Sequence, residues 1–82
     1  KLTINFEQDT TQGWWQLQPR YRRDWSTCFT AVRDVNGGII ETEAGQTSIT
    51  LNIAQEDIDE LNGAGWAFSG CNMTIVSMEY EK

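Results

Sequence analysis

Leu2-Thr3-Ile4-Asn5-Phe6-Glu7 alternates apolar and polar residues along its whole length. An extended backbone turns successive side chains to opposite faces, so Leu2, Ile4 and Phe6 mark the buried side of a strand and Thr3, Asn5 and Glu7 its wet side. The same period of two recurs down the chain. Trp14 to Gln18 is predicted as a second strand, closed by Pro19, in which Trp15 shares its face with Leu17 while Trp14 shares the other with Gln16, Gln18 and Arg20. The polar run Asp9 to Gln12 is short enough to join these two strands as a hairpin. Further strands are expected at Thr27 to Val32, Ile39 to Thr42 and Ser48 to Ile53, with turns at Asn36-Gly37-Gly38 and at Gly45.

Gln55 to Asn62 breaks the alternation and is predicted as a two-turn helix. Ile58 and Leu61 face the sheet, Glu56 and Asp57 occupy the favourable end of the helix dipole, and Gly63 forms the C-terminal cap. The acidic residues Glu56, Asp57, Asp59 and Glu60 read as a solvated helix face. Ser69-Gly70-Cys71-Asn72 reads as a turn between the last two strands. One extra residue near Val76-Ser77, a β-bulge, brings Met73, Ile75, Met78 and Tyr80 to the inner face together. The expected fold is therefore all-β, an antiparallel β-sandwich of six or seven strands with one short helix near residues 55–61, forming a single domain over residues 1–82. Its expected core is Leu2, Ile4, Phe6, Trp15, Leu17, Phe29, Ile49, Leu51, Ile53, Ile58, Leu61, Trp66, Phe68, Ile75 and Met78.

Composition removes several classes of function. Twelve acidic against six basic residues leave a net charge of −6, a field that repels nucleic acid and anionic membrane. No apolar run approaches the length of a membrane span, and any targeting segment is expected to lie upstream or to have been removed. Without histidine there is no Ser-His-Asp or Cys-His nucleophile and no histidine-ligated zinc. Two cysteines cannot build a thiolate metal site alone, so neither metal nor cofactor is expected. Cys28 and Cys71 are either two thiols or one disulfide.

The outward row beside Trp14 suits a sugar. A pyranose has an apolar C–H face that stacks on an indole and a fringe of hydroxyls that bond amides and guanidinium groups. Trp14, Gln16, Gln18 and Arg20, with Tyr21 and Trp25 on the adjoining loop, are the candidate ligand-binding residues. Arg20, Arg22 and Arg23 are either solvated loop charges or donors to sugar hydroxyls and uronic acids. Nothing in the sequence pairs two carboxylates for glycosidic chemistry, so an enzyme is not expected. Because Trp, Tyr and Arg are also enriched where proteins meet, a protein-interaction or structural module is the competing reading.

Thr50-Leu51-Asn52-Ile53, the helix with Asp57-Ile58-Asp59-Glu60-Leu61-Asn62, Gly65-Trp66-Ala67-Phe68-Ser69-Gly70, and the broken alternation from Asn72 to Tyr80 together carry a resemblance. This half of the chain resembles the C-terminal half of jelly-roll carbohydrate-binding-type modules that stand beside glycoside hydrolases and in surface glycan-handling proteins of gut and rumen bacteria. Upstream, Gln16-Leu17-Gln18 followed by Trp25 is similar to the strand and loop that present ligand-contacting residues in those modules. The resemblance implies a secreted or cell-surface, non-catalytic module that binds β-linked plant polysaccharide or oligosaccharide of glucan, xylan or mannan type, attached to a larger enzyme. Such modules have further strands before the one matched by Leu2 to Glu7. The chain is then a shortened variant, a piece lacking its first strands, or one half of a homodimer in which two copies complete each other.

Overall fold

The computed structural model describes residues 1–81. Six strands form, β1 (Leu2–Gln8), β2 (Trp15–Tyr21), β3 (Ile40–Thr42), β4 (Ser48–Leu51), β5 (Trp66–Cys71) and β6 (Met73–Tyr80), with one α-helix, α1 (Gln55–Asn62), between β4 and β5. They make two three-stranded antiparallel sheets, β4-β1-β6 and β3-β2-β5, packed as a small sandwich.

The alternation in β1 places Leu2, Ile4 and Phe6 in the interior, as the sequence predicts. On its wet face, Thr3 bonds Thr50 across the β1–β4 pair at 3.1 Å and the Asn5 amide donates to Ser77 Oγ at 3.1 Å. The expected bulge is present. Asn5 faces Ser77 while Phe6 faces Ile75, which leaves Val76 as the extra residue. Phe29 lies at the centre of the aromatic packing, its ring centroid 4.9 Å from Trp66, 5.5 Å from Phe68 and 5.8 Å from Tyr21.

Several local expectations are corrected. β1 and β2 do not form a hairpin; they belong to different sheets. The connection is knotted on itself instead: the Asp9 carboxylate accepts the Thr11 N–H and hydroxyl, and Trp15 Nε1 donates to the Asp9 carbonyl at 2.9 Å. These local bonds turn the chain across the sandwich rather than back along β1.

Pro19 does not end β2, which continues to Tyr21 with Pro19 fully buried opposite Phe68. Beyond Leu17 the β3 ladder has stopped, and Thr27–Phe29 lies along that side: Tyr21 N–H donates to the Thr27 carbonyl and Phe29 N–H to the Pro19 carbonyl. The donor that proline lacks would have pointed to this short bridge and not into the β2–β5 pairing.

Thr27 to Val32 is not a strand. Only Cys28 makes a β-bridge, to Arg20, and Thr30–Val32 is a 3-10 turn. Asp57 decides this: its carboxylate takes the Thr30 N–H at 3.1 Å and the Thr30 hydroxyl at 2.8 Å, so the segment's donors are spent on the helix.

The helix occupies the expected residues but is not a solvated acidic rod. Asp57 is fully buried, and the Trp66 indole N–H donates to the Asp57 carbonyl at 2.7 Å. Ile58 is half-buried, whereas Leu61 in the last turn is exposed. Met78 is exposed as well, and Trp15, Ile49, Ile53, Trp66, Phe68 and Ile75 are half-buried rather than fully enclosed. Cys28 and Cys71 are separate thiols, the first buried and the second half-buried.

Candidate functional site

The outer face of the β3-β2-β5 sheet is built by the alternation in β2. Register places Glu41 and Cys71 beside Gln16 and Ser69 beside Gln18 on one face, with Arg20 next along the strand beside the buried Ala67. Trp14 stands at the start of this row, 54% exposed. Its backbone is held by a residue distant in sequence but adjacent in the sheet, the Asn72 amide donating to the Trp14 carbonyl at 3.0 Å. Asn72 itself adopts a left-handed conformation, φ 61°, at the point where the chain passes from β5 to β6. Trp15, the first residue of β2, is half-buried and shares the face of Leu17, whereas Trp14 precedes the strand and is exposed.

A notch of about 230 Å³ lies beside the exposed indole, lined by Gly13, Trp14, Trp15, Gln16, Glu41 and Thr42. Gln16 Nε2 reaches Glu41 Oε1 at 3.4 Å, a long contact that leaves the amide available to a better acceptor. Two larger clefts, about 420 and 400 Å³, border the β1–β2 corner. Neither is lined by an exposed aromatic ring; outside the notch the exposed rings among the described residues are Trp25 and, on β6, Tyr80.

Trp25 is 60% exposed at the other end of β2. Its φ of 57° is a conformation that a bulky residue adopts only under constraint. Asp24 supplies that constraint: its carboxylate accepts the Ser26 and Thr27 N–H groups at 2.9 Å each and the Thr27 hydroxyl at 2.6 Å. Trp25 N–H closes the turn on the Tyr21 carbonyl at 2.9 Å. Hydrogen bonds from Thr27 and Ser26, with Arg23 nearby, hold the Asp24 carboxyl well below the usual carboxylate range. From Trp14 to the Tyr21 end of β2 is seven residue steps, roughly 23 Å at about 3.3 Å per residue.

Two predicted site residues do structural work instead. Tyr21 is fully buried; its hydroxyl donates to Asp57 Oδ1 and lies 3.2 Å from Glu56 Oε2, and Arg33 donates to it. Burial first, and then the bond to Asp57, push the phenol far above its ordinary value. Arg20 lies on the outer face, but its guanidinium donates to the carbonyls of Gly38 at 2.7 Å, Pro19 at 3.2 Å and Gly37 at 3.5 Å, which leaves it stapling the Asn36–Gly38 turn. The structure thus sets Trp14 and Gln16 around one notch with Gln18 further along the same strand, leaves Trp25 beyond the other end of that strand, and withdraws Tyr21 and Arg20.

Glu41 was missed by the sequence reading. It comes from β3, and only strand pairing carries it to Gln16. Among the described residues no three of Cys, Asp and Glu converge as metal ligands, and no helix is long and apolar enough to cross a membrane. No family model, no curated protein and no solved structure matches the chain.

Proposed function

We propose that this domain is a non-catalytic glycan-binding module whose outer β2 face takes an extended, β-linked oligosaccharide or polysaccharide. One observation carries the reading. Two exposed indoles, Trp14 and Trp25, stand at opposite ends of the strand that bears Gln16 and Gln18. Each ring offers an apolar platform to the C–H face of a sugar, and the amides between them offer donors and acceptors to hydroxyls. Their separation is too great for one pyranose, so a chain of several units gains contacts that a monosaccharide does not.

Glycosidic hydrolysis calls for two carboxylates flanking the bond. Among the residues lining the notch, Glu41 is the single carboxylate. Its contact with Gln16 suits an acceptor for sugar hydroxyls. Each stacking or hydrogen-bonding contribution is about 1 kcal/mol net, which gives dissociation constants in the micromolar to millimolar range. A secreted or surface setting, beside a larger enzyme, is where such weak binding works, since it holds a catalytic partner near polymeric substrate.

The test is titration with soluble β-glucan, xylan and mannan, and with oligosaccharides of increasing length, while following tryptophan fluorescence. Binding that strengthens with chain length and is lost in Trp14→Ala is expected. No response to any of these polymers, or unchanged binding in both Trp14→Ala and Trp25→Ala, overturns the reading and favours a protein partner on this face.

A further inference from the structure

β6 is an edge strand. β1 pairs with one side of it, and among the described residues no strand pairs with the other. Its inner-face residues Met78 and Tyr80 lie opposite Ile4 and Leu2, yet each is 47% exposed while Ile4 and Leu2 are buried. The facing sheet leaves this end of the sandwich uncovered.

The open edge also presents backbone groups. Glu81 N–H donates to the Lys1 carbonyl, and Asp9 N–H donates to the Asn72 carbonyl. Glu81 and Asn72 therefore turn their peptide groups toward β1. Alternation from each end turns those of Tyr80 and Met78, and of Met73 and Ile75, toward the open side.

The bulge at Val76 makes this set symmetric. Met73 and Tyr80 are equidistant from the Val76–Ser77 bond, and so are Ile75 and Met78. A second copy related by a two-fold axis through that bond sets Met73 against Tyr80 and Ile75 against Met78, all on the inner face. Thr74 then faces Glu79 and Val76 faces Ser77 on the outer face, so no like charges oppose one another. An unbroken strand cannot pair this way, because inversion about a bond would set its inner face against its outer one.

We propose that two copies of this chain dimerise by antiparallel pairing of β6 with β6 in this register, fusing the two β4-β1-β6 sheets into one. The occupant is a second copy because the strand is complementary to itself in both hydrogen bonding and apolar pattern. The inference stands apart from the glycan reading, since β2 and its outer face belong to the other sheet.

Sedimentation velocity across micromolar to millimolar concentration tests it. A reversible monomer–dimer equilibrium is expected, strengthened by added salt, which screens the net charge of −6 on each copy. Met78→Lys should remove the dimer while leaving the melting temperature of dilute protein unchanged. Thr74→Cys chains mixed with Glu79→Cys chains, both carrying Cys71→Ser, should cross-link under mild oxidation, and neither alone should do so, because identical positions lie about 17 Å apart in this register. A monomer at every concentration, or a dimer indifferent to Met78→Lys, overturns the proposal, as do cross-links that form as readily in single variants. If Met78→Lys fails to fold, the cysteine pair decides, since it leaves the apolar edge intact.

Discussion

The Tyr21 hydroxyl donates to Asp57 Oδ1 at 2.5 Å, with both side chains fully buried, and this bond fastens the helix to the central strand of its sheet. Asp57 also accepts from Ala54 N–H at 3.0 Å and from both donors of Thr30. A carboxylate in the interior is costly unless every lone pair is used. Here four donors meet it.

Removing the acceptor strands those donors. Asp57→Ala should cost about 3–5 kcal/mol, whereas Tyr21→Phe, which deletes one of the four bonds and keeps the ring against Phe29, should cost about 1–3 kcal/mol. Urea denaturation checks both values. An Asp57→Ala protein as stable as the parent would show that the carboxylate does not organise the helix.

Acid should act through the same group. Burial alone would push the Asp57 carboxyl up, but the bonds from Tyr21, Ala54 and Thr30 outweigh it and hold it below the ordinary value of 3.8. A lowered folded value means that Asp57 contributes its full stability above pH 4 or so and loses it as pH falls through the folded value. Glu56, lowered chiefly by its bond from Arg33, and Asp24 follow the same sign at the surface. Salt weakens those exposed contributions. The acid slope of the denaturation midpoint that survives high salt should therefore disappear in Asp57→Asn.

The adjacent tryptophans should separate binding from stability. Trp15 is half-buried, and its indole N–H holds the Asp9 carbonyl, so Trp15→Ala should cost about 2–4 kcal/mol. Trp14→Ala removes an exposed ring and should change stability by no more than about 0.5 kcal/mol, the scale of an ordinary surface substitution. Equal losses of stability would place Trp14 in the packing and remove it from the binding face.

Gly38 is a third stability test. Its φ is +83°, and a Cβ there would lie 2.6 Å from Cys28 Cβ, a contact that the buried Cys28 cannot relieve by moving outward. Gly38→Ala should cost at least about 2 kcal/mol through strain and overlap together. Gly37→Ala, at φ +66° with open space around it, carries the strain alone and should cost about half as much.

Local periodicity made much of this domain legible. The alternation of Leu2, Ile4 and Phe6, the inward Trp15 with Leu17, the helix from Gln55 and the bulge beside Val76 all follow from side-chain direction along one segment, which needs no knowledge of neighbours. The exposure of Trp14 follows from the same rule.

What the alternation could not reveal is which segments meet. A hairpin and a crossing between sheets demand the same polar connection, and only the bonds around Asp9 select the crossing. Asp57 looks like any acidic residue in the first turn of a helix; its burial exists because Tyr21, Thr30 and Ala54 come from separate parts of the chain to satisfy it. Tyr21 is taken from the candidate site by that contact, and Glu41 is added to it by strand pairing. Sequence by itself determined which face each strand residue occupies, because that is a local property of an extended backbone. Tertiary structure decided which faces were covered and which polar groups were spent, because burial and hydrogen bonding are settled between segments distant in the chain.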